Sequence, residues 1–233
     1  MYLNRRARRV FLGRIAKFSL LAIFGNTRGD ARADPRLETG TLEYGGIRCY
    51  VARPTDDGEK LPALILVRER RDAHIEDIAR RAALEGFNAI APDMTAPADR
   101  EDALAALLAV VDDLAARHAT RRIGVVGFGW GGGMANQLAI RSARVAAVAS
   151  FYGAVPDLVD VPRIKARLLL HYAERDTRIN TAVPAYEGAL KAAGIPHAIH
   201  MYPDTDHAFF DHNREAAELA WRRTMDFLKD ALR

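Results

Sequence analysis

The segment that most constrains this chain is Gly127-Phe128-Gly129-Trp130-Gly131-Gly132. It follows the apolar run Arg122-Ile123-Gly124-Val125-Val126 and leads into Gly133-Met134-Ala135-Asn136, so a strand must turn sharply into a helix. Glycine at these positions lets backbone approach backbone and admits positive φ. Two kinds of site use such a connection. One is a turn that presents a nucleophile, G-x-S/C-x-G, and the other is a loop that cradles phosphate, G-x-G-x-x-G. In the first pattern the central position is Gly129, which has no side chain to offer.

Around this turn the chain alternates between strand-like and helix-like segments. Thr41 to Val51 reads as a hairpin about Gly45-Gly46, with Leu42, Tyr44, Ile47, Cys49 and Val51 in near-alternation. Six apolar runs read as buried strands: Ala63 to Val67, Asn88 to Ala91, Ile123 to Val126, Val145 to Phe151, Leu168 to Tyr172 and Ala198 to Tyr202. Helical spacing is expected over 74–85, 99–117, 131–141, 181–193 and 212–231. Strands alternating with helices predict a single α/β domain over 34–233, a mostly parallel sheet with helices on both faces. There is no uninterrupted apolar run of about 18 residues, so no conventional membrane span is expected.

The net charge is +4, but residues 1–33 carry eight Arg or Lys and one acid, leaving −3 on residues 34–233. A basic nucleic-acid face on the folded domain is therefore not expected. The N-terminus itself is similar to an export signal. Arg8-Arg9-Val10-Phe11-Leu12 matches a twin-arginine pattern, an apolar stretch runs from Phe18 to Phe24, and Ala31-Arg32-Ala33 resembles a cleavage site. Residues 1–33 are read as a twin-arginine-like signal and the protein as periplasmic or exported, with a basic arm on a cytoplasmic protein as the alternative.

The single cysteine, Cys49, excludes a disulfide framework, and a lone cysteine in a hairpin strand reads as a small buried hydrophobe. His171, His197, His200, His207 and His212 show no H-E-x-x-H spacing, so neither a metal nor another cofactor is expected. The charged stretch from Arg100 to Arg122 reads as a solvated helix face.

In an open α/β sheet, sites form beyond the carboxyl ends of the strands. The unusual polar groups fall there: Glu69, Asp93 with Met94, Gly129, Tyr152, Asp176 and His207, each after a successive strand. Alone, Asp176 would read as a turn or helix-capping residue, and His207 as a loop histidine. Together, and in the order turn, acid, histidine, they match a triad in which the acid orients the histidine and the histidine serves as base.

At this point the chain resembles the dienelactone hydrolase family of the α/β-hydrolase superfamily over nearly all of 40–231. The resemblance rests on Leu64-Ile65-Leu66-Val67-Arg68-Glu69, Glu85-Gly86-Phe87-Asn88-Ala89-Ile90-Ala91-Pro92-Asp93, Val126-Gly127-Phe128-Gly129-Trp130-Gly131-Gly132-Gly133, Phe151-Tyr152-Gly153, Leu168 to Asp176 and Tyr202-Pro203-Asp204-Thr205-Asp206-His207-Ala208-Phe209. It implies hydrolysis of a small-molecule ester or lactone through a cysteine that would stand at Gly129. Asp176 and His207 would complete the triad. Glu69 would govern the ionisation of the cysteine. The backbone amides of Trp130 and Arg70 would form the oxyanion hole, and Tyr152 would contact substrate. The arginine with which relatives hold a substrate carboxylate, four residues past the histidine, is Asp211 here.

Without a side chain at Gly129 the covalent route is closed, and three readings stay open. The chain is a non-catalytic relative that binds a small carbonyl compound or a partner, or Asp176 and His207 activate water for slow direct hydrolysis, or Gly129 replaces the cysteine of an ordinary hydrolase by alteration of the sequence. A reading from another class, dinucleotide binding through Gly127, Gly129 and Gly132, lacks the acid expected about 20 residues later. The sequence does not specify the oligomeric state.

Overall fold

Every position of β3 (Ala63–Val67) is apolar and buried, which requires cover on both faces of the sheet. The same holds for β5 (Ile123–Phe128), and nearly so for β4 (Asn88–Pro92), whose buried Asn88 is polar, β6 (Val145–Phe151) and β7 (Arg167–Ala173). With β1 (Leu37–Tyr44), β2 (Ile47–Pro54) and β8 (His197–Tyr202) they form one eight-stranded sheet in the order β1-β2-β4-β3-β5-β6-β7-β8. Only β1/β2 and β2/β4 pair antiparallel. From β4 to β8 all pairings are parallel. The structure, a computed structural model, describes residues 34–56, 61–69, 71–95, 97, 99–117 and 122–233. The expected signal at 1–33 lies outside the described residues.

Side-chain alternation divides the core. Ile65, Val67, Val125 and Leu170 pack against α2 (Arg100–Arg117), α3 (Trp130–Arg141) and α5 (Val183–Ala192). Leu64, Leu66, Val126 and Leu169 face α1 (Ala73–Leu84) and α7 (Arg214–Ala231). Period-2 strands against period-3.6 helices therefore produce two apolar layers, and each fully buried Leu or Ile contributes about 1.5–3 kcal/mol. Cys49 is fully buried in the first layer.

The elements follow the sequence expectation, with four differences. The hairpin runs from Leu37 to Pro54 rather than from Thr41 to Val51, and the Arg53–Glu38 ion pair at 2.7 Å ties its outer ends. That register is polar and carries no alternation signal. The helix expected over 181–193 is α5, and an additional short helix, α4 (Thr177–Asn180), precedes it with Asp176 as its cap. The helix expected over 212–231 is α7, which starts at Arg214 because Asn213 leaves the helical region and its side chain caps Ala216, and an additional short helix, α6 (Phe209–His212), precedes it. A 3-10 helix at Leu158–Arg163 was not anticipated.

A buried polar chain crosses β7. His171 is fully buried. Its Nδ1 lies 2.9 Å from the Tyr202 hydroxyl and its Nε2 3.0 Å from Thr224 Oγ1. The Thr224 hydroxyl donates to the Ala220 carbonyl at 2.8 Å, so its oxygen accepts from an Nε2–H, and the Tyr202 hydroxyl donates to Nδ1. The pattern fits a neutral imidazole. Burial, with the charges of His200 and Arg223 adding to it, holds the pKa of His171 well below its ordinary 6.5. The folded chain thus resists a proton that the unfolded chain accepts. The stability is complete above pH 6.5. It falls by up to about 1.4 kcal/mol per pH unit below that value, until the folded pKa is reached. Urea titrations at pH 7 and pH 5 should show this loss, and His171→Gln should flatten the slope even if its stability at pH 7 is lower. An unchanged slope in the variant would contradict the assignment.

Candidate active site

Because β3 to β8 run parallel, the loops after their carboxyl ends meet at one edge of the sheet. Gly129 ends β5 with φ 57° and ψ −115°, and stands directly before α3. Residues with a Cβ rarely adopt this backbone, whereas glycine accepts it without strain. Its N–H donates to the Phe151 carbonyl at 3.0 Å, and its carbonyl accepts from Gly133 at 3.2 Å. The turn is thereby fixed between β6 and the first turn of α3. Ser150, buried beneath it, donates to the Gly132 carbonyl at 3.0 Å and is a structural residue.

His207 and Asp176 face this turn. The Nδ1 of His207 lies 2.5 Å from Asp176 Oδ2. The other carboxylate oxygen of Asp176 accepts from the Ile179 N–H at 3.3 Å. Asp176 is buried, while the His207 side chain is 41 % exposed. An ionised Asp176 accepts the Nδ1–H, which leaves the Nε2 lone pair free. That nitrogen lies 3.9 Å from the place a Cβ would take on Gly129, and the nearest Tyr152 ring carbon lies 3.7 Å from it. The structure therefore brings together Gly129, Asp176 and His207, with the free histidine nitrogen aimed at the open side-chain position.

Tyr152 follows β6 with φ 41°, an uncommon value for a residue with a side chain. Its N–H donates to the His171 carbonyl at 2.7 Å, and its ring stands edge-on to His207 with centroids 5.0 Å apart. The Tyr152 hydroxyl is buried with no hydrogen-bond partner among the described residues. Burial, with the Asp211 carboxylate adding to it, pushes its pKa up, so the phenol stays protonated.

Two cavities flank the centre. One, of about 190 Å³, is lined by Gly129, Tyr152 and His207 together with Arg68, Glu69 and Asp211. There Asp211 accepts from both terminal nitrogens of Arg68, at 2.5 and 3.3 Å, and lies 3.0 Å from His74 Nε2. Where the family resemblance leads one to look for an arginine, the chain has an acid already engaged by a cation. The other cavity, of about 260 Å³, is lined by Gly129, Tyr152, His207 and Trp130 together with Arg100 and Arg178. A third, of about 470 Å³, adjoins through Glu69, Met94, Trp130 and Arg100.

Trp130 is the first residue of α3, so its N–H has no acceptor within the helix and is available as a donor at the turn. Arg70, the second expected donor, lies outside the described residues. Glu69 is exposed and lines two of the cavities. With glycine at 129 it has no thiol to act on. Asp93 turns away to Thr95, whose hydroxyl donates to it at 2.7 Å. No cluster of three or more potential metal ligands occurs among the described residues. Arg100 is exposed at the start of α2, in keeping with a solvated face, and it also lines the 260 Å³ cavity. Sequence reasoning also passed over Arg178 and Arg68. The available signal was position: Arg178 is two residues past Asp176 and Arg68 directly precedes Glu69.

The fold agrees with what the chain is similar to. The model of the dienelactone hydrolase family matches residues 96–232. A protein of Escherichia coli (strain K12) named "Putative carboxymethylenebutenolidase" is 31% identical over 219 residues, which is 77% of this chain and 81% of the relative. The crystal structure of a "Putative Dienelactone Hydrolase" from Klebsiella pneumoniae subsp. pneumoniae MGH 78578 superposes with TM-score 0.72 at 27% identity, covering 82% of this chain and 97% of that one. A dienelactone hydrolase-like promiscuous phosphotriesterase, P91, from metagenomic libraries shares the fold with TM-score 0.76 at 18% identity, covering 85% and 100%. On the family model and the relatives together, the chain is an α/β-hydrolase that belongs to the dienelactone hydrolase family.

Proposed function

We propose that the protein hydrolyses small carboxylic esters or lactones by direct attack of water, with His207 as general base in place of a covalent nucleophile. The observation that carries this reading is the 3.9 Å gap between His207 Nε2 and the open Cβ position of Gly129, beside a 2.5 Å contact between His207 and Asp176. A water in that gap gives its proton to Nε2 as its oxygen bonds to the substrate carbonyl carbon. Asp176 holds the Nδ1–H tautomer and stabilises the imidazolium. The carbonyl oxygen, now an oxyanion, accepts from the Trp130 N–H. The imidazolium then returns the proton to the departing alkoxide as the C–O bond breaks, leaving acid and alcohol. A site lacking its nucleophile retains roughly 10³–10⁴-fold catalysis over water in a comparable triad.

Rapid-quench kinetics with 4-nitrophenyl acetate test the absence of a covalent step. Nitrophenol release should be linear from the first turnover and insensitive to iodoacetamide. A burst equal to the enzyme concentration would mean that another residue is acylated. No turnover of any ester or lactone, with the fold intact, would favour a binding protein that keeps the site without the chemistry.

Residues 1–33 are proposed to direct export, on the strength of Arg8-Arg9-Val10-Phe11-Leu12 and Ala31-Arg32-Ala33. Fractionation of expressing cells should recover shortened protein outside the cytoplasm. Full-length protein found only in the cytoplasm would contradict this.

A further inference from the structure

We infer that Arg100 and Arg178 form an anion-recognition subsite beside the Gly129–His207 centre, so that the preferred ester or lactone carries a carboxylate or phosphate on that side of its carbonyl. The claim about which half of a substrate is charged rests on the hydrolase reading, while the subsite itself does not.

The two guanidinium-bearing residues line the same 260 Å³ cavity as Gly129 and His207, and no Asp or Glu is among its described lining residues. Residues 34–233 carry a net charge of −3, so carboxylates outnumber cations. Even so, neither arginine has a carboxylate partner among the described residues, while Arg68, Arg71, Arg80 and Arg117 each have one. Two acids close to them in sequence are occupied. Asp176 holds His207 and the Ile179 N–H. Asp99 accepts from the Glu101 and Asp102 N–H groups at 2.8 and 2.9 Å. Glu69 lines the other two cavities, the 470 Å³ one together with Arg100, and forms no ion pair with it.

Both arginines are placed by the local fold. Arg178 rides on the turn that Asp176 caps, so one carboxylate positions both His207 and the loop bearing Arg178. An Arg100 terminal nitrogen lies 3.4 Å from the position a Cβ would take on Gly133, in the first turn of α3. The amino end of that helix adds positive potential to the same cavity. The cavity on the opposite side carries the Arg68–Asp211 pair and a second carboxylate, Glu69. The centre is thus polarised, acidic toward Glu69 and Asp211 and cationic toward Arg178. Both arginines are exposed, so their attraction works through partly screened charge, and selectivity should fall as salt rises.

Trp130 lies in the cavity wall, so its fluorescence reports binding without turnover. The probes are monomethyl succinate, methyl phosphate and the neutral dimethyl succinate. At low salt the wild-type protein should bind an anionic probe about 10-fold more tightly than the neutral diester. The preference should shrink to within about 2-fold at high salt and in the Arg100→Gln/Arg178→Gln double variant. Whichever anion binds more tightly identifies the source as carboxylate or phosphate. A preference that survives the double variant would overturn the proposal, as would equal affinity for the neutral diester or no binding of any probe. Failure of hydrolysis alone leaves this result standing, since no chemistry enters the measurement.

Discussion

Replacing Gly129 by cysteine is expected to raise kcat/KM toward aryl esters by about 100-fold or more, and to add burst kinetics and sensitivity to iodoacetamide. The position is prepared for a side chain. A Cβ there meets nothing closer than a Tyr152 ring carbon at 3.7 Å, and it points toward His207 Nε2 at 3.9 Å. The thiol would therefore reach hydrogen-bonding range of the base that Asp176 already orients. The backbone opposes the change, because φ is 57°, and a Cβ in this region costs about 1–3 kcal/mol. The variant should accordingly melt at lower temperature while turning over faster. Gly129→Ala separates the two effects, since it carries the strain without the thiol. It should lose stability to a similar extent and gain no activity. A cysteine variant with neither burst nor rate gain, though folded, would mean that His207 does not serve a nucleophile at this position.

The second large effect is structural. Gly131→Ala should destabilise the domain by about 3 kcal/mol or more, at the upper end for overpacking. A Cβ on Gly131 would fall 2.0 Å from the Val67 carbonyl oxygen. Both partners are backbone, one in the first turn of α3 and one at the end of β3, so no side chain can swing aside. The helix would have to lift from the sheet where the turn, the Trp130 N–H and the His207 pocket meet. Denaturant unfolding should show a lower midpoint, and any residual activity should fall with it. A variant as stable as the parent would mean that α3 packs less closely on β3 than described.

Much of this was legible in the sequence, for physical reasons. β3 to β7 are short continuous apolar runs because both faces of each are covered, and such runs stand out in any reading. The order Gly129, Asp176, His207 could be read because each follows a strand, and parallel strands carry their ends to one edge. The outer hairpin residues were less legible, since Glu38 and Arg53 pair across an exposed edge without apolar alternation. The short α4 and the start of α7 at Asn213 depend on caps that only tertiary placement makes decisive. Arg100 and Arg178 were illegible as site residues, because exposed arginines look alike in sequence whether they face solvent or a cavity. The Arg68–Asp211 pair spans 143 positions, a separation at which charge complementarity cannot be read without the fold.

The central claim is that the His207–Asp176 pair acts on water at the side chain-free position 129. The most direct measurement is kcat/KM for 4-nitrophenyl acetate and dihydrocoumarin in the wild-type protein, in His207→Ala and in Asp176→Asn, with folding confirmed for each. Loss of the general base should lower kcat/KM by about 100-fold or more, mostly in kcat, and loss of its orienting carboxylate should lower it comparably. Rates unchanged in His207→Ala would contradict the account, whatever the fate of the other predictions.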